Sequence, residues 1–255
     1  MGTPVEIVSV DAANLEDRGF FCRKSKMKTE GNRRKLAWAA DRFEDGLGID
    51  IVYDNGRSVG FVEYTPGKRA WRAVHAPDYM LIQCIWVVGR AKGKGYGTAL
   101  LERVEAKAQK QGFSGVAAVT SSRVWVAGND HFLSNGYEVV DEAPPSFQLV
   151  VKSFNGVPEA GFPTNWAERA AAFGSGLTVV TTDQCPYLDD AEQLMVAAAE
   201  KLAIPVEITK LETAIEVQQR SPSAFGIFGI VLDGELLAYH YLLEKDLVAL
   251  VAARR

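Results

Sequence analysis

The chain of 255 residues is 47% hydrophobic and 24% charged, with a formal net charge of −4, which is typical of a soluble globular protein of one large or two smaller domains. The net charge argues against a general nucleic-acid binder, and no apolar run is long enough to span a bilayer. The three cysteines, Cys22, Cys84 and Cys185, are distant in the sequence and odd in number. They fit neither a disulfide framework nor a zinc-ligand spacing, and they favour a cytoplasmic location.

The first part of the chain begins with an alternating segment, residues 5–10, which predicts a strand. Residues 12–45 are predicted to be helical with a break near Gly31. The helical spacing of apolar residues predicts one buried stripe, formed by Leu36, Ala39, Ala40 and Phe43.

A basic run lies within this helical region and comprises Arg23, Lys24, Lys26, Lys28, Arg33, Arg34 and Lys35, opposed only by Glu30. A solvated helix face is the plain interpretation. The alternative is a site for an anion, such as an anionic substrate, the phosphates of coenzyme A or an RNA acyl donor. In contrast, residues 177–255 carry 12 acids and 6 bases.

Three strands and a helix are expected next. Two alternating runs, 49–53 and 58–64, flank Asn55-Gly56, which predicts a tight hairpin. Residues 79–88 are nearly all apolar, as in a central strand that is covered on both faces. A glycine-rich turn then leads into an amphipathic helix with apolar positions at Leu100, Leu101, Val104 and Ala108.

The segment after this helix predicts a further strand at 115–120, and a strand–helix–strand connection implies a parallel pair with a right-handed crossover. A helix is expected at 125–134, ended by Asn135-Gly136. Strands at 137–140 and 147–151 follow.

Residues 155–176 are rich in glycine and proline around a short helical patch at 166–173, and they are interpreted as a linker. From residue 177 the pattern is β-α-β followed by a β-hairpin. The predicted elements are strands at 177–182 and 205–209, a helix at 189–202, and hairpin strands at 225–232 and 236–242 around Asp233-Gly234.

The glycine-rich turn, Lys92-Gly93-Lys94-Gly95-Tyr96-Gly97, carries the strongest functional signal. Glycines let the main chain approach a ligand closely, and the free N–H groups of a helix N-terminus favour a phosphate. The spacing fits neither the nucleoside-triphosphate loop nor the dinucleotide-binding pattern. It does fit R/Q-x-x-G-x-G/A with Lys92 in the first position, and over residues 4–154 the chain resembles the GNAT acetyltransferase superfamily.

This resemblance implies an α/β fold with a mixed sheet and an N-acyltransferase that moves an acetyl group from acetyl-CoA to the amine of a small molecule by direct attack, with no metal. By position, the main chain of Val87 would bind the pantetheine arm and polarise the thioester. The residues expected to bind the coenzyme are Trp86, Val87, Val88, Lys92, Gly93, Lys94, Gly95, Tyr96, Gly97 and Thr98.

The resemblance leaves the proton-transfer groups open. The family's usual positions for a base hold Leu81 and Gln83, neither of which accepts a proton at neutral pH. Glu63 is therefore the first candidate base, with Cys84 and His75 behind it. The position of the family's acidic tyrosine holds Phe132, so His131 is the candidate acid, with Tyr137 as another substitute.

The C-terminal unit carries Cys185-Pro186-Tyr187-Leu188 before its first predicted helix and is similar to a thioredoxin fold of glutaredoxin type, with Leu188 in place of the second cysteine. A GNAT domain followed by such a unit resembles the YoaP-type acetyltransferases. At a helix N-terminus the Cys185 thiolate is expected to be favoured and reactive. Without a resolving cysteine it would form only mixed disulfides.

The sequence therefore predicts a GNAT domain at 1–154, a linker at 155–176 and a thioredoxin-like accessory domain at 177–255, in a monomer or homodimer. Two other functions stay open: an acyltransferase that uses an aminoacyl-tRNA bound by the basic run 23–35, and a non-catalytic module that senses coenzyme A or a thiol through Cys185.

Overall fold

A seven-stranded mixed sheet forms the first part of the protein in the computed structural model, which describes residues 5–123, 125–156 and 159–252. Its strands are β1 (Glu6–Val10), β2 (Gly48–Asp54), β3 (Arg57–Pro66), β4 (Tyr79–Val87), β5 (Gly115–Ser121), β6 (Glu138–Ala143) and β7 (Phe147–Ser153). Their order is β1-β2-β3-β4-β5-β7-β6, and only β4 and β5 are parallel to each other. The predicted parallel pair is confirmed.

The helix between the parallel strands, α3 (Tyr96–Lys110), covers one face of the sheet with fully buried Leu100, Leu101, Val104 and Ala108, as its periodicity predicts. The hairpin between β2 and β3 is also confirmed. Asn55 and Gly56 both have positive φ, 52° and 71°, which is the geometry that a two-residue hairpin turn requires.

The helical region 12–45 differs from the prediction. It consists of α1 (Leu15–Arg18), a short 3₁₀ segment at Lys24–Lys26 and α2 (Glu30–Arg42), so the break lies at 19–29 and not at Gly31. Within this break Gly19, Phe21 and Arg23 have positive φ, which ends helical geometry.

The predicted apolar stripe of α2 is also partly wrong, because Ala40 is exposed. The buried face of α2 consists of Gly31, Asn32, Lys35, Trp38 and Ala39. A polar and a charged side chain therefore lie on the inner face of this helix, where they need partners inside the protein.

The predicted helix at 125–134 is wrong over most of its length, since only α4 (Asp130–Leu133) is helical. Trp125 has a φ of 77°, which cannot continue a right-handed helix. The left-handed residue after the helix is confirmed at Gly136, with a φ of 83°.

A second, four-stranded sheet has the order β11-β10-β8-β9. Its strands are β8 (Leu177–Thr181), β9 (Val206–Lys210), β10 (Gly229–Leu232) and β11 (Glu235–Ala238), and its helices are α6 (Leu188–Lys201), α7 (Ala214–Arg220) and α8 (Glu244–Ala252). Strands β8 and β9 are parallel, while β10 is antiparallel to both β8 and β11. This confirms the predicted β-α-β unit and hairpin; α7 and α8 were not predicted.

The segment predicted as a linker contains α5 (Trp166–Ala171) and packs on both sheets in its described part. The main chains of Gly161 and His75 exchange two hydrogen bonds, of 2.8 and 2.9 Å. The amide of Phe162 donates to the Asp141 carboxylate at 2.6 Å. One continuous apolar cluster contains side chains of both sheets, so the two units share a core.

Across the described parts of the chain, no helix combines the length and the apolar character that a membrane span requires.

Helix α2 and the segment before α6 approach each other so closely that only glycine fits at position 31. A Cβ on Gly31 would lie 2.3 Å from the main-chain oxygen of Pro186. We expect Gly31→Ala to lower the free energy of unfolding by about 1–3 kcal/mol because the two units must move apart. Gly89→Ala is the control, since nothing lies within 4 Å of its Cβ position. Urea unfolding of both variants measures the difference, and equal stabilities would contradict this packing.

Candidate active site

Strands β4 and β5 separate halfway along their length. Their pairing runs from Tyr79–Gly115 to Ile82–Ala118, although β4 continues to Val87 and β5 to Ser121. The separation begins at a bulge in β4, where Gln83 is an extra residue between the positions that pair with Glu63 and Tyr64 of β3. Such a bulge bends the strand away from its neighbour. The result is an open wedge along the second half of β4.

The glycine turn lies at the end of this wedge. Gly93 and Gly95 have φ values of 78° and 80°, and nothing lies within 4 Å of a Cβ placed on either. The first main-chain hydrogen bond of α3 runs from the amide of Ala99 to the oxygen of Gly95. The amides of residues 96–98 precede it and have no acceptor within the helix. The turn thus combines open space with free donors at a positive helix end.

A cavity of about 490 Å³ joins the turn to the wedge. Its lining includes eight of the ten residues predicted to bind the coenzyme: Trp86, Val87, Lys92, Gly93, Gly95, Tyr96, Gly97 and Thr98. Val88 is instead bonded through its amide to the oxygen of Val59, and the Lys94 ammonium pairs with Asp54 at 3.1 Å. The ammonium of Lys92 lies 5.5 Å from the ring centre of Trp86.

His131 lies against the beginning of α3 and lines the same cavity. A Cβ on Gly97 would be 2.7 Å from its Nε2 atom, so this glycine makes room for the imidazole. Nε2 is buried and has no hydrogen-bond partner within the described structure. Tyr137, the other candidate acid, is buried with its ring edge-on to Phe132, 5.3 Å away.

Glu63 on β3 lies at the centre of a buried polar network between the two units. Its side chain is 2% exposed, and its Oε2 atom is 2.6 Å from the ammonium of Lys35, which is equally buried. Its Oε1 atom accepts a hydrogen bond of 2.6 Å from the side-chain amide of Gln184. The ion pair and the amide together compensate the cost of placing a carboxylate in the interior.

The three cysteines meet beside this network, although they are distant in the sequence. Cys84 pairs with Glu63 in the register of β3 and β4, and Cys185 directly follows Gln184. Cys22 precedes Arg23, whose guanidinium donates to the main-chain oxygen of Pro186 at 2.8 Å. All three thiols are reduced and half-buried. The three side chains are near enough to influence one another electrostatically, and we call the region around them the thiol recess.

Burial keeps these thiols protonated. It raises the pKa of Cys84 to about 12, with smaller contributions from the charges of Glu63 and Cys185. Burial also raises the pKa of Cys185, and the amide of Tyr187 only partly opposes this effect. The expected reactive thiolate at Cys185 is therefore not favoured. The expectation that this residue lacks a neighbouring cysteine is corrected as well, because Cys22 and Cys84 lie close to it in space.

The basic run 23–35 is partly exposed and partly buried. The exposed members, as the plain interpretation expects, are Lys24, Lys26, Lys28 and Arg33. Arg23 and Lys35 are buried, and the guanidinium of Arg23 lies 2.8 Å from the carboxylate of Asp190 at the start of α6. Arg34 pairs with Asp189 at 3.5 Å. Part of the run thus contacts the acidic C-terminal unit.

The remaining candidate, His75, is exposed, and its main chain bridges to Gly161. Its contacts serve the packing of the segment after β7. Within the described residues, no group of three or more His, Cys, Asp and Glu side chains has the arrangement that a metal ion requires.

Comparisons with known proteins find similar sequences and structures. Residues 12–126 match the family described as Acetyltransferase (GNAT) family. A Bacillus subtilis (strain 168) protein described as an uncharacterized N-acetyltransferase, YoaP, is 27% identical over 242 residues, which cover 92% of this chain and 94% of that protein.

The solved structures that match include the PaiA N-acetyltransferase of Thermoplasma acidophilum in complex with coenzyme A, at 16% identity and a TM-score of 0.42 over 60% of this chain and 100% of that one. Another is a ribosomal-protein-alanine N-acetyltransferase of Brucella melitensis, at 16% identity and a TM-score of 0.43 over 58% of this chain and 99% of that one.

The raised thiol pKa values predict that the folded protein loses stability in alkali. Above the ordinary thiol pKa of 9.0 the unfolded chain releases the Cys84 proton, whereas the folded protein keeps it up to about pH 12. For this single thiol, the free energy of unfolding should fall by about 1.4 kcal/mol per pH unit in that range. Urea unfolding between pH 8 and 10.5 measures the slope, which Cys84→Ala should reduce. An unchanged slope in the variant would contradict the assignment.

Proposed function

We propose that this acyltransferase, which carries a GNAT acetyltransferase domain at residues 12–126, uses acetyl-CoA as its donor and acetylates the amine of a small molecule. The observation that carries this proposal is the wedge between β4 and β5 beside the glycine turn. A parallel pair that stayed closed would offer no path from the turn to the interior.

The turn fits the diphosphate of the donor. Free amides at 96–98 supply donors, and the Lys92 ammonium supplies a point charge at the rim of the cavity. The wedge beyond it suits an extended chain such as pantetheine, which would pair with the main chain of β4 near Val87. The thioester would then lie close to the bulge, on the side of Glu63 and the thiol recess.

The reaction would proceed by direct attack. The amine nitrogen forms a bond to the thioester carbon, the carbon–sulfur bond breaks, and the products are an amide and free coenzyme A. Each carboxylate oxygen of Glu63 accepts one hydrogen bond in the structure and can accept another, so Glu63 can take the proton that the amine loses. His131 lies against Gly97 at the diphosphate end of the cavity, so its unpartnered Nε2 atom would donate to a phosphate oxygen there, and the leaving thiolate would take its proton from solvent.

We also propose that residues 177–255 form a thioredoxin-like accessory domain that closes the acceptor side of the site. The strand order β11-β10-β8-β9 with parallel β8 and β9 supports this, as does the position of Cys185 before α6. The domain contributes Gln184 to the carboxylate network, so its role extends beyond covering the site. Three free thiols suit a reducing compartment, and we infer a cytoplasmic location.

Acetyl-CoA binding tests the proposal directly. Isothermal titration should show one site per chain, and Gly95→Asp should weaken it about 100-fold because a negative charge and a side chain enter the space of the diphosphate. Gly112→Asp is the matched control, since Gly112 has the same left-handed φ of 79° and open surroundings at the other end of α3. Absence of binding by the wild-type protein, or equal binding by the two variants, would exclude this coenzyme site.

Removal of the carboxylate tests the assignment of the base. Glu63→Gln should lower kcat by about 100-fold or more and change the pH profile of the rate. This variant leaves Lys35 unpaired in the interior, so the double variant with Lys35→Met provides a folded reference that should remain equally slow. Exposed Glu138→Gln on β6 is the control with normal activity. A normal rate and pH profile in the single or double variant would rule Glu63 out.

A further inference from the structure

The interior between the two units contains more positive than negative charge. Lys35 and Arg72 are both buried, at 2% and 5% exposure, whereas Glu63 is the carboxylate beside them. Lys35 and Glu63 form an ion pair. Within the described residues, Arg72 has no carboxylate at ion-pair distance. A buried cation without a counter-charge is costly, so this position favours an anion.

Arg72 borders the thiol recess. Its guanidinium donates to the main-chain oxygen of Trp71 at 3.0 Å and to that of Gln83, the residue before Cys84. The ring centre of Phe225 lies 5.0 Å from the guanidinium carbon on the other side. These contacts hold the guanidinium in place but use only part of its five N–H groups.

A second buried polar side chain, next to Arg72, lacks hydrogen-bond partners. The side chain of Gln83 is 3% exposed, and neither its Nε2 nor its Oε1 atom has a hydrogen-bond partner. Gln83 is the extra residue of the β4 bulge, between Arg72 and the Glu63 network. Buried amides are nearly always bonded, so an unsatisfied donor and acceptor here indicate that a ligand supplies the missing contacts.

The neighbouring thiols do not supply the missing negative charge. Burial raises the pKa of Cys22, Cys84 and Cys185, so all three are neutral at physiological pH. As neutral and polarisable groups they form a weakly polar wall around the recess.

We propose that the thiol recess is the acceptor site and that the acceptor is a small amine carrying a carboxylate, an amino-acid-like molecule whose carboxylate binds Arg72 and Gln83. Glu63 is the register partner of Cys84, and Arg72 donates to the main-chain oxygen of the preceding Gln83, so both charged groups adjoin Cys84. The amine and the carboxylate of one small molecule would reach both. Guanidinium and carboxylate match in geometry and charge. The role of this molecule as the acetyl acceptor rests on the proposed function. Its binding to Arg72 and Gln83 does not.

The C-terminal unit completes this site. Cys185 and Gln184 belong to it, and its Tyr187 and Tyr241 pack edge-on against Trp125, with ring centres 6.1 and 5.1 Å away. Trp125 and Tyr187 are each partly exposed, at 38% and 40%. Tyr187 follows Cys185 by two residues, so this aromatic group lies close to the recess.

Pairs of substrates that differ only in a carboxylate test whether the acceptor carries one. Loss of the thioester absorbance is followed with amino acids and their decarboxylated amines: phenylalanine with phenethylamine, tyrosine with tyramine, tryptophan with tryptamine and lysine with cadaverine. We expect KM to be about 10- to 100-fold lower for the preferred amino acid than for its amine. Arg72→Met should abolish this ratio through KM, while Arg33→Met, at an exposed position, should retain it. Equal use of both members of a pair, or an unchanged ratio in Arg72→Met, would overturn the proposal.

A second measurement uses the wild-type protein and does not depend on turnover or on a variant that folds. Binding of each member of these pairs is measured by isothermal titration in the absence of coenzyme. The amino acids should bind at least threefold more tightly than their decarboxylated amines. Equal binding of both members of every pair, or no binding of any amino acid, would overturn the acceptor site, even if acetyl-CoA binds. Binding of amino acids without acetyl-CoA binding would instead retain the acceptor site and exclude the proposed reaction.

Discussion

The buried ion pair of Lys35 and Glu63 is the constraint on which the rest of the structure depends. Two charges in the interior are tolerated when they are paired and hydrogen-bonded, and here the second oxygen of Glu63 accepts from Gln184, 121 residues away in the sequence. The three positions come from α2, β3 and the segment before α6. The network thereby fixes the C-terminal unit over the sheet at the point where β4 and β5 separate, and it sets the walls of the space opposite the glycine turn.

Charge complementarity around this network explains the uneven distribution of charges along the sequence. The basic run 23–35 meets the acidic first turn of α6 through Arg23–Asp190 and Arg34–Asp189. These pairs lie at the edge of the shared core and flank the thiols. Arg23 and Arg34 of the basic run therefore serve contacts with the C-terminal unit, whereas Lys24, Lys26, Lys28 and Arg33 are exposed. Among the buried cations of this region, Arg72 has no matching carboxylate within the described residues.

Local patterns predicted much of the fold and of the coenzyme cavity. The Asn55-Gly56 hairpin, the parallel pair around α3 and the glycine turn depend on residues close in the sequence, and these features were predicted with small errors in their boundaries. The acceptor side could not be predicted in this way, because Glu63 and Gln184 are 121 residues apart. One signal was present: Lys35 recurs at helical spacing with Asn32 and Trp38 on the inner face of α2, and a charge on such a face requires a buried partner. The helix predicted at 125–134 failed because Trp125 adopts a left-handed conformation that periodicity does not reveal.

The contact of Gly31 with Pro186 has a consequence for folding during synthesis. During synthesis the seven-stranded sheet and α2 leave the ribosome well before residues 184–190, so Glu63, Arg23 and Arg34 emerge without their C-terminal partners. The proposed catalytic carboxylate acquires its full set of bonds only when the last quarter of the chain docks. An unfinished or truncated polypeptide would thus contain the glycine turn, while the buried carboxylate still lacked its bond to Gln184.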